Sequence, residues 1–148
     1  MEQIEDFFRR FEQLNDIGVS LSSERELPRL LEKILSAAKQ ITHADAGTLY
    51  LLSEDQRQLC FEIVCNDTLA INIGGTFGPP DPALFPPLPL YRPDGSRNDN
   101  MVAAYAALAG VTINIADAYE AEGFDFYGTR QFDAKTGYRS QSFLTVPM

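Results

Sequence analysis

The chain has 148 residues, 45% of them hydrophobic, two cysteines and a formal net charge of −9; this length and apolar content predict one compact domain with one core. The negative charge excludes nucleic acid and anionic membrane surfaces as natural partners, because both are bound mainly through Lys and Arg. No run approaches the roughly 18 apolar residues of a membrane span, and the charged, aromatic start lacks a signal peptide's basic end and apolar centre, so a cytoplasmic domain without direct membrane contact is expected.

Residues 1–22 predict a helix of their own. Ile4, Phe7, Phe11, Leu14, Gly18 and Leu21 recur at alternating steps of three and four with charged residues between, the seam spacing of a helical coiled coil. A narrow stripe of this kind calls for a partner helix, and the expected partner is a second copy of the chain. The alternative is a helix packed on its own domain, since the run is short and Gly18 interrupts it. Leu27, Leu30, Leu31, Ile34, Leu35, Ala38 and Ile41 then form a broader helical face suited to covering a sheet. Its start is placed at Pro28, which is tolerated in a first turn. His43, the single histidine, falls at its C-terminal end, where a positive charge is favourable.

Two strands follow, Ala46–Leu52 and Gln58–Asn66, joined by a polar turn. Leu49 and Leu51 face one way and Tyr50 and Leu52 the other, which predicts a sheet covered on both faces. Cys60 and Cys65 share the second strand at an odd separation, so they lie on opposite faces and cannot bridge each other. They read as two small hydrophobes. Residues 67–98 hold Gly74, Gly75, Gly78 and seven prolines, and read as a long irregular loop with one short strand near 88–91. Its apolar residues, among them Phe77, Leu84 and Phe85, suggest a lid over a pocket. An alanine-rich helix is expected over 100–109, capped by Asn98 or Asp99 and stopped by Gly110, then a strand over 111–115.

Most enzyme chemistries lack their residues. The carboxylates Asp117, Glu120, Glu122 and Asp125 do not follow a calcium-loop pattern, one histidine cannot supply a paired metal site, and Gly74-Gly75-Thr76-Phe77-Gly78 has no Lys-Ser or Lys-Thr after it. No metal and no bound cofactor are therefore expected, beyond a non-covalent small molecule.

The stretches Asn114-Ile115-Ala116-Asp117-Ala118-Tyr119 and Phe132-Asp133-Ala134-Lys135-Thr136-Gly137-Tyr138-Arg139-Ser140-Gln141-Ser142-Phe143-Leu144-Thr145-Val146-Pro147 read as two strands bracketing a short acidic and aromatic segment. Together, and in their order after a helix, two strands and a long loop, they resemble the GAF domain family over nearly the whole chain. The resemblance implies an α+β fold, an antiparallel sheet covered by helices on both faces with a long N-terminal helix. It divides the chain into a signalling and dimerisation helix over 1–22 and a GAF domain over 23–148. The family's last strand hairpin and closing helix find no counterpart, which implies a C-terminally truncated copy. The Asn-Lys…Phe…Asp-Glu signature of cyclic-nucleotide-binding members would fall after the strand at 143–146, beyond Met148.

In the family, the segment between the matching strands walls a small-molecule pocket, and the stretch from Leu88 to Met148 looks most like regulatory GAF domains attached to HD-type phosphohydrolases or adenylate cyclases. The resemblance thus implies a sensor that is not itself an enzyme. Chemistry points the same way: Tyr105, Tyr119, Phe124 and Phe132 could stack on a flat ring such as a purine, and Thr112, Asn114 and Thr136 offer hydrogen bonds. Asp117 is either a ligand contact or a helix cap after the strand. Relatives that carry a bilin use a cysteine in the pocket helices, and none lies beyond Cys65. Free methionine sulfoxide reductases share the fold, and that activity would require Cys60 and Cys65 to exchange disulfides from opposite faces. The remaining alternative is a ligand-free dimerisation module. Homodimerisation through the N-terminal helix or a bare sheet edge is expected in either case.

Overall fold

A computed structural model describes residues 1–148. Its contacts divide the chain into two units, Met1–Tyr50 with Phe61–Leu84 and Leu51–Cys60 with Phe85–Met148. No helix is long and apolar enough to cross a membrane.

In the first unit, α1 spans Glu2–Ser23. It runs straight through Gly18, whose cost of about 1 kcal/mol relative to Ala is offset by the flanking helix formers. Asp6 pairs with Arg9 one turn away and with Arg10 at 2.9 Å. None of its residues is buried. At the bend that follows, the Glu24 carboxylate accepts from the backbone N–H groups of Arg25 and Glu26 and pairs with Lys33 at 2.9 Å.

Helix α2 spans Leu27–Thr42 with Pro28 in its first turn and His43 closing it in the left-handed conformation. The middle of its apolar face is covered as the spacing predicts, while Leu27, Ala38 and Ile41 stay exposed. Leu31 and Leu35 are buried against Leu49 of β1 (Ala46–Leu52) and Ile63 of β2 (Gln58–Asn66), with Ile34 and Cys65 packed beside them. Each such aliphatic side chain contributes about 1.5–3 kcal/mol through its removal from water. Tyr50 stacks on Phe61 at 4.7 Å between ring centroids, and burial pushes its hydroxyl pKa up to about 12.

The stretch read as loop contains a strand that the sequence does not announce. β3 (Ile71–Gly74) pairs antiparallel with β2, Asn66 opposite Ile71 and Ile63 opposite Gly74. The reversal is tight because the buried Asn66 side chain accepts the Leu69 N–H at 2.9 Å, a local turn that polar side chains close readily. Gly74 is there of necessity. Its φ is +90°, and a Cβ at that position would lie 1.9 Å from the Glu62 carbonyl oxygen. A 3₁₀ turn over Gly75–Phe77 follows, tied to α2 by the Thr76 N–H and hydroxyl donating to Glu32 at 2.5 and 2.7 Å. Phe77 and Leu84 do not fold inward as the expected lid requires, being 68% and 73% exposed.

In the second unit, β4 (Leu88–Pro89) pairs antiparallel with the start of β2, Leu59 opposite Leu88. The short strand foreseen near 88–91 is thus present, and Leu90 beside it is almost fully buried. α3 spans Val102–Ala109, shorter than expected at its start, and has no side-chain cap. Asn98 is occupied elsewhere: its backbone N–H donates to the Leu90 carbonyl and its amide to the Pro89 carbonyl, both at 2.8 Å. Gly110, at φ +65°, stops the helix as foreseen. Ala104 and Ala106 are buried, the small side chains permitting close approach to neighbouring elements.

β5 (Ile113–Ile115) pairs antiparallel with β6 (Phe143–Thr145), Asn114 opposite Leu144. Between them lies the largest departure from the sequence reading. Residues 132–136 belong to a helix, α4 (Tyr127–Thr136), and not to the long strand expected over 132–147. The Asp125 carboxylate accepts the Tyr127 N–H at 2.8 Å at its start, and Gly137 in the left-handed conformation ends it. Six of its ten residues are polar or charged, Thr129, Arg130, Gln131, Asp133, Lys135 and Thr136, so no broad apolar stripe marks it as helical.

Candidate functional site

The acidic and aromatic segment after β5 is held by its own polar atoms. Asp117 accepts the Tyr119 N–H at 2.9 Å, closing a turn, while Ala118 is buried and donates its N–H to the Gln141 carbonyl at 2.7 Å. These bonds fix the Tyr119 ring. Its hydroxyl donates to Asp133 of α4 at 2.7 Å, and Asp133 also accepts from the Ser140 hydroxyl at 2.7 Å and the Ser140 N–H at 2.8 Å.

Two guanidinium groups complete the cluster. Arg139 donates to both Asp117 oxygens, at 3.0 and 3.1 Å, and lies 3.7 Å from the Tyr119 ring centroid. Arg130 on α4 stands 5.3 Å from the same centroid and donates to the Tyr119 carbonyl at 3.4 Å. Both distances suit a cation on an aromatic face. Two cations and two carboxylates thus surround one phenol, and the cluster is electrically balanced.

The titrations follow from these contacts. Burial would raise the Asp133 pKa, but the hydrogen bonds from Tyr119 and Ser140 outweigh it and hold the carboxyl below its ordinary value. The bond to Asp133, with burial behind it, raises the Tyr119 phenol. The Tyr119 N–H, then Arg139, lower Asp117. All three groups therefore keep one charge state across the neutral range, which suits a fixed recognition surface better than a proton-transfer centre.

The residues expected at the site fall into three groups. Asp117 and Tyr119 meet in the cluster just described. Tyr105 and Phe124 meet each other edge to face, 5.7 Å apart. Phe132 is half-buried on α4, whereas Thr112, Asn114 and Thr136 are exposed, and the Thr136 hydroxyl donates back to the Phe132 carbonyl at 2.8 Å. Arg130, Asp133, Arg139 and Ser140 were missed. Reading their stretch as a strand would point alternate side chains apart, and only a helix ending at Gly137 brings Asp133 to Ser140. The Gly137 that ends α4, preceded by Lys135, was the signal available.

Two open concavities lie in the first unit. One of about 250 Å³ is bounded by Leu35, Lys39, Ile63, Cys65 and Phe77. Within it Lys39 pairs with Asp67 at 2.7 Å, and the Cys65 thiol lies 3.5 Å from the Gly47 carbonyl. The other is a shallow groove along α1, open to solvent.

No family model matches the chain, and no curated protein does. Among solved structures, the crystal structure of the GAF domain from Acinetobacter phosphoenolpyruvate-protein phosphotransferase is similar to it. The TM-score is 0.58 and the identity 14%, over 94% of this chain and 68% of that one. The chain therefore has a GAF-like α+β fold with a long N-terminal helix.

Proposed function

We propose that this GAF-like chain is a regulatory module of a signalling protein, in which residues 23–148 sense a small flat ligand and the helix over 1–22 passes the response to a second copy. The observation that carries the reading is the Tyr119 cluster, a preorganised aromatic and guanidinium surface on a fold of this kind. Arg130 is exposed and makes one long hydrogen bond, so its remaining donors suit an anionic or carbonyl-bearing heterocycle, a cyclic nucleotide for example. Tyr105, Phe124 and Phe132 would supply ring contacts, with Thr112, Asn114 and Thr136 at the margin. Ligand binding would favour one arrangement of α3 and α4, and a differential affinity of about 1–3 kcal/mol is enough to signal.

A second reading, a ligand-free dimerisation module, is favoured by one observation. Tyr105 packs on Phe124 and Phe126 packs on Phe143, so these rings already have partners. Native mass spectrometry for a co-purifying compound, with melting curves in cyclic AMP and cyclic GMP, separates the two. Sensing predicts a concentration-dependent rise in Tm, equivalent to about 2.7 kcal/mol at a hundred times Kd, that Arg130→Ala and Tyr119→Ala diminish. A ligand-free mass and flat melting curves across nucleotides and other flat heterocycles leave the dimerisation module.

A further inference from the structure

The exposed face of α1 is divided into a bulky half and a hollow half. At about 100° per residue, Ile4, Phe7, Phe11, Gly18 and Ser22 fall along one line of the helix. The N-terminal half of that line is aromatic, with Phe7 65% and Phe11 62% exposed. Its C-terminal half is a shallow, open groove bordered by Leu14, Asn15, Gly18, Val19, Ser22 and Ser23, where Gly18 and Ser22 stand in place of the rings. Nothing lies within 4 Å of where a Gly18 Cβ would be.

The helix spends its other side on its own unit. Ser20 and Glu24, roughly opposite the line at that angular step, are the residues that meet Lys33 of α2, at 3.5 and 2.9 Å. The aromatic and hollow halves are left without a partner. Ile4, Phe7, Phe8, Phe11, Leu14 and Val19 are each more than half exposed, and together present on the order of 700 Å² per copy, so a symmetric pair would bury about 1,400 Å², within the range of stable interfaces.

We propose that two copies of this chain pair antiparallel along α1, the aromatic half of each helix seated in the hollow half of the other. This rests on the self-association proposed above and fixes its direction. In a parallel, in-register pair, Phe7 meets Phe7 and Phe11 meets Phe11, while Gly18 faces Gly18 across unfilled space whose walls lose their contacts. Turned antiparallel about a point near residues 12–13, Phe7 comes opposite Gly18 and Phe11 opposite Leu14. One patch then serves both copies, as a closed two-fold interface requires. The opposed helix dipoles add a small attraction.

Cysteine crosslinking in the full chain tests the direction, with crosslinked peptides read by mass spectrometry so that Cys60 and Cys65 are told apart from the introduced thiols. Copies carrying Phe7→Cys are mixed with copies carrying Gly18→Cys, and Ile4→Cys with Ser22→Cys provides a second pair that leaves the phenylalanines in place. The expected products join residue 7 to 18 and residue 4 to 22, and Gly18→Leu, which fills the hollow, is expected to weaken the dimer about tenfold or more. Disulfides joining residue 7 to 7 or 4 to 4 overturn the antiparallel direction while leaving self-association standing. A dimer by sedimentation equilibrium with no crosslink through α1 overturns the use of this face, and an unaltered chain that sediments as a monomer overturns both.

Discussion

Asp133 is a buried carboxylate with three hydrogen-bond donors around it, and removing it strands the groups it holds. Asp133→Ala leaves the Tyr119 hydroxyl and the Ser140 hydroxyl and N–H without their acceptor, a loss of about 1–3 kcal/mol for groups of this kind, measurable by urea unfolding. The pH dependence has a definite sign. Because its folded pKa lies below the ordinary value of 3.8, the unfolded chain takes up the proton first. The stabilisation is complete above the unfolded pKa and is lost as pH falls through the folded one. Urea midpoints measured downward from pH 5 are expected to fall more steeply for the native chain than for Asp133→Asn, and equal slopes would sink the assignment. Little of this was legible beforehand. Asp117 is read as a helix cap after the strand, but no helix follows it, and its carboxylate closes a turn on the Tyr119 N–H instead. Asp133 depends on a helix that the sequence pattern hid, so its partners seven and fourteen residues away were out of reach of local reasoning.

Elements with strong periodicity or clear stop signals match their expected places, whereas β3 and α4, which have neither an apolar period nor a loud boundary, do not. β1 and β2 match the expected bounds, and α2 buries Leu31 and Leu35 from its predicted apolar face. These signals come from burial on a regular period, which sequence displays directly. β3 is only four residues long and ends in glycine. It is a strand because β2 offers it a ladder, which is tertiary information. Its Gly74 supplies a sharp test. Gly74→Ala places a methyl group against the Glu62 carbonyl at a backbone angle that suits glycine, with an expected loss of about 2 kcal/mol or more. Gly78 has a similar angle, φ +92°, but open space around it, so Gly78→Ala carries backbone strain alone and should cost about 1 kcal/mol. Comparable urea midpoints for the two variants would remove the steric argument for β3.

Across the whole molecule, charge imbalance competes with local pairing. Twenty-one acidic residues face twelve basic ones, and the excess repels itself more in the compact state than in the unfolded chain. Against this stand ion pairs such as Lys33 with Glu24 and Arg139 with Asp117, which at the surface contribute about 0–1 kcal/mol each and are themselves screened by salt. The net repulsion acts over many separations of 10 Å and more, and raising ionic strength from about 0.01 to 0.15 M shortens the screening length from about 30 to 8 Å. Pairs in contact at 3 Å lose less than charges far apart. Stability should therefore rise with sodium chloride over that range, by about 1 kcal/mol or roughly 2–4 °C in Tm for a chain of this size, followed by far-ultraviolet circular dichroism at fixed protein concentration. Fixed concentration matters because salt also eases the approach of two like-charged copies, and association alone would raise the melting point. Repeating the melts with Gly18→Leu, which weakens the α1 pair, isolates the part belonging to the fold. A Tm that stays level or falls with salt in that variant would mean that short-range pairs outweigh the excess charge.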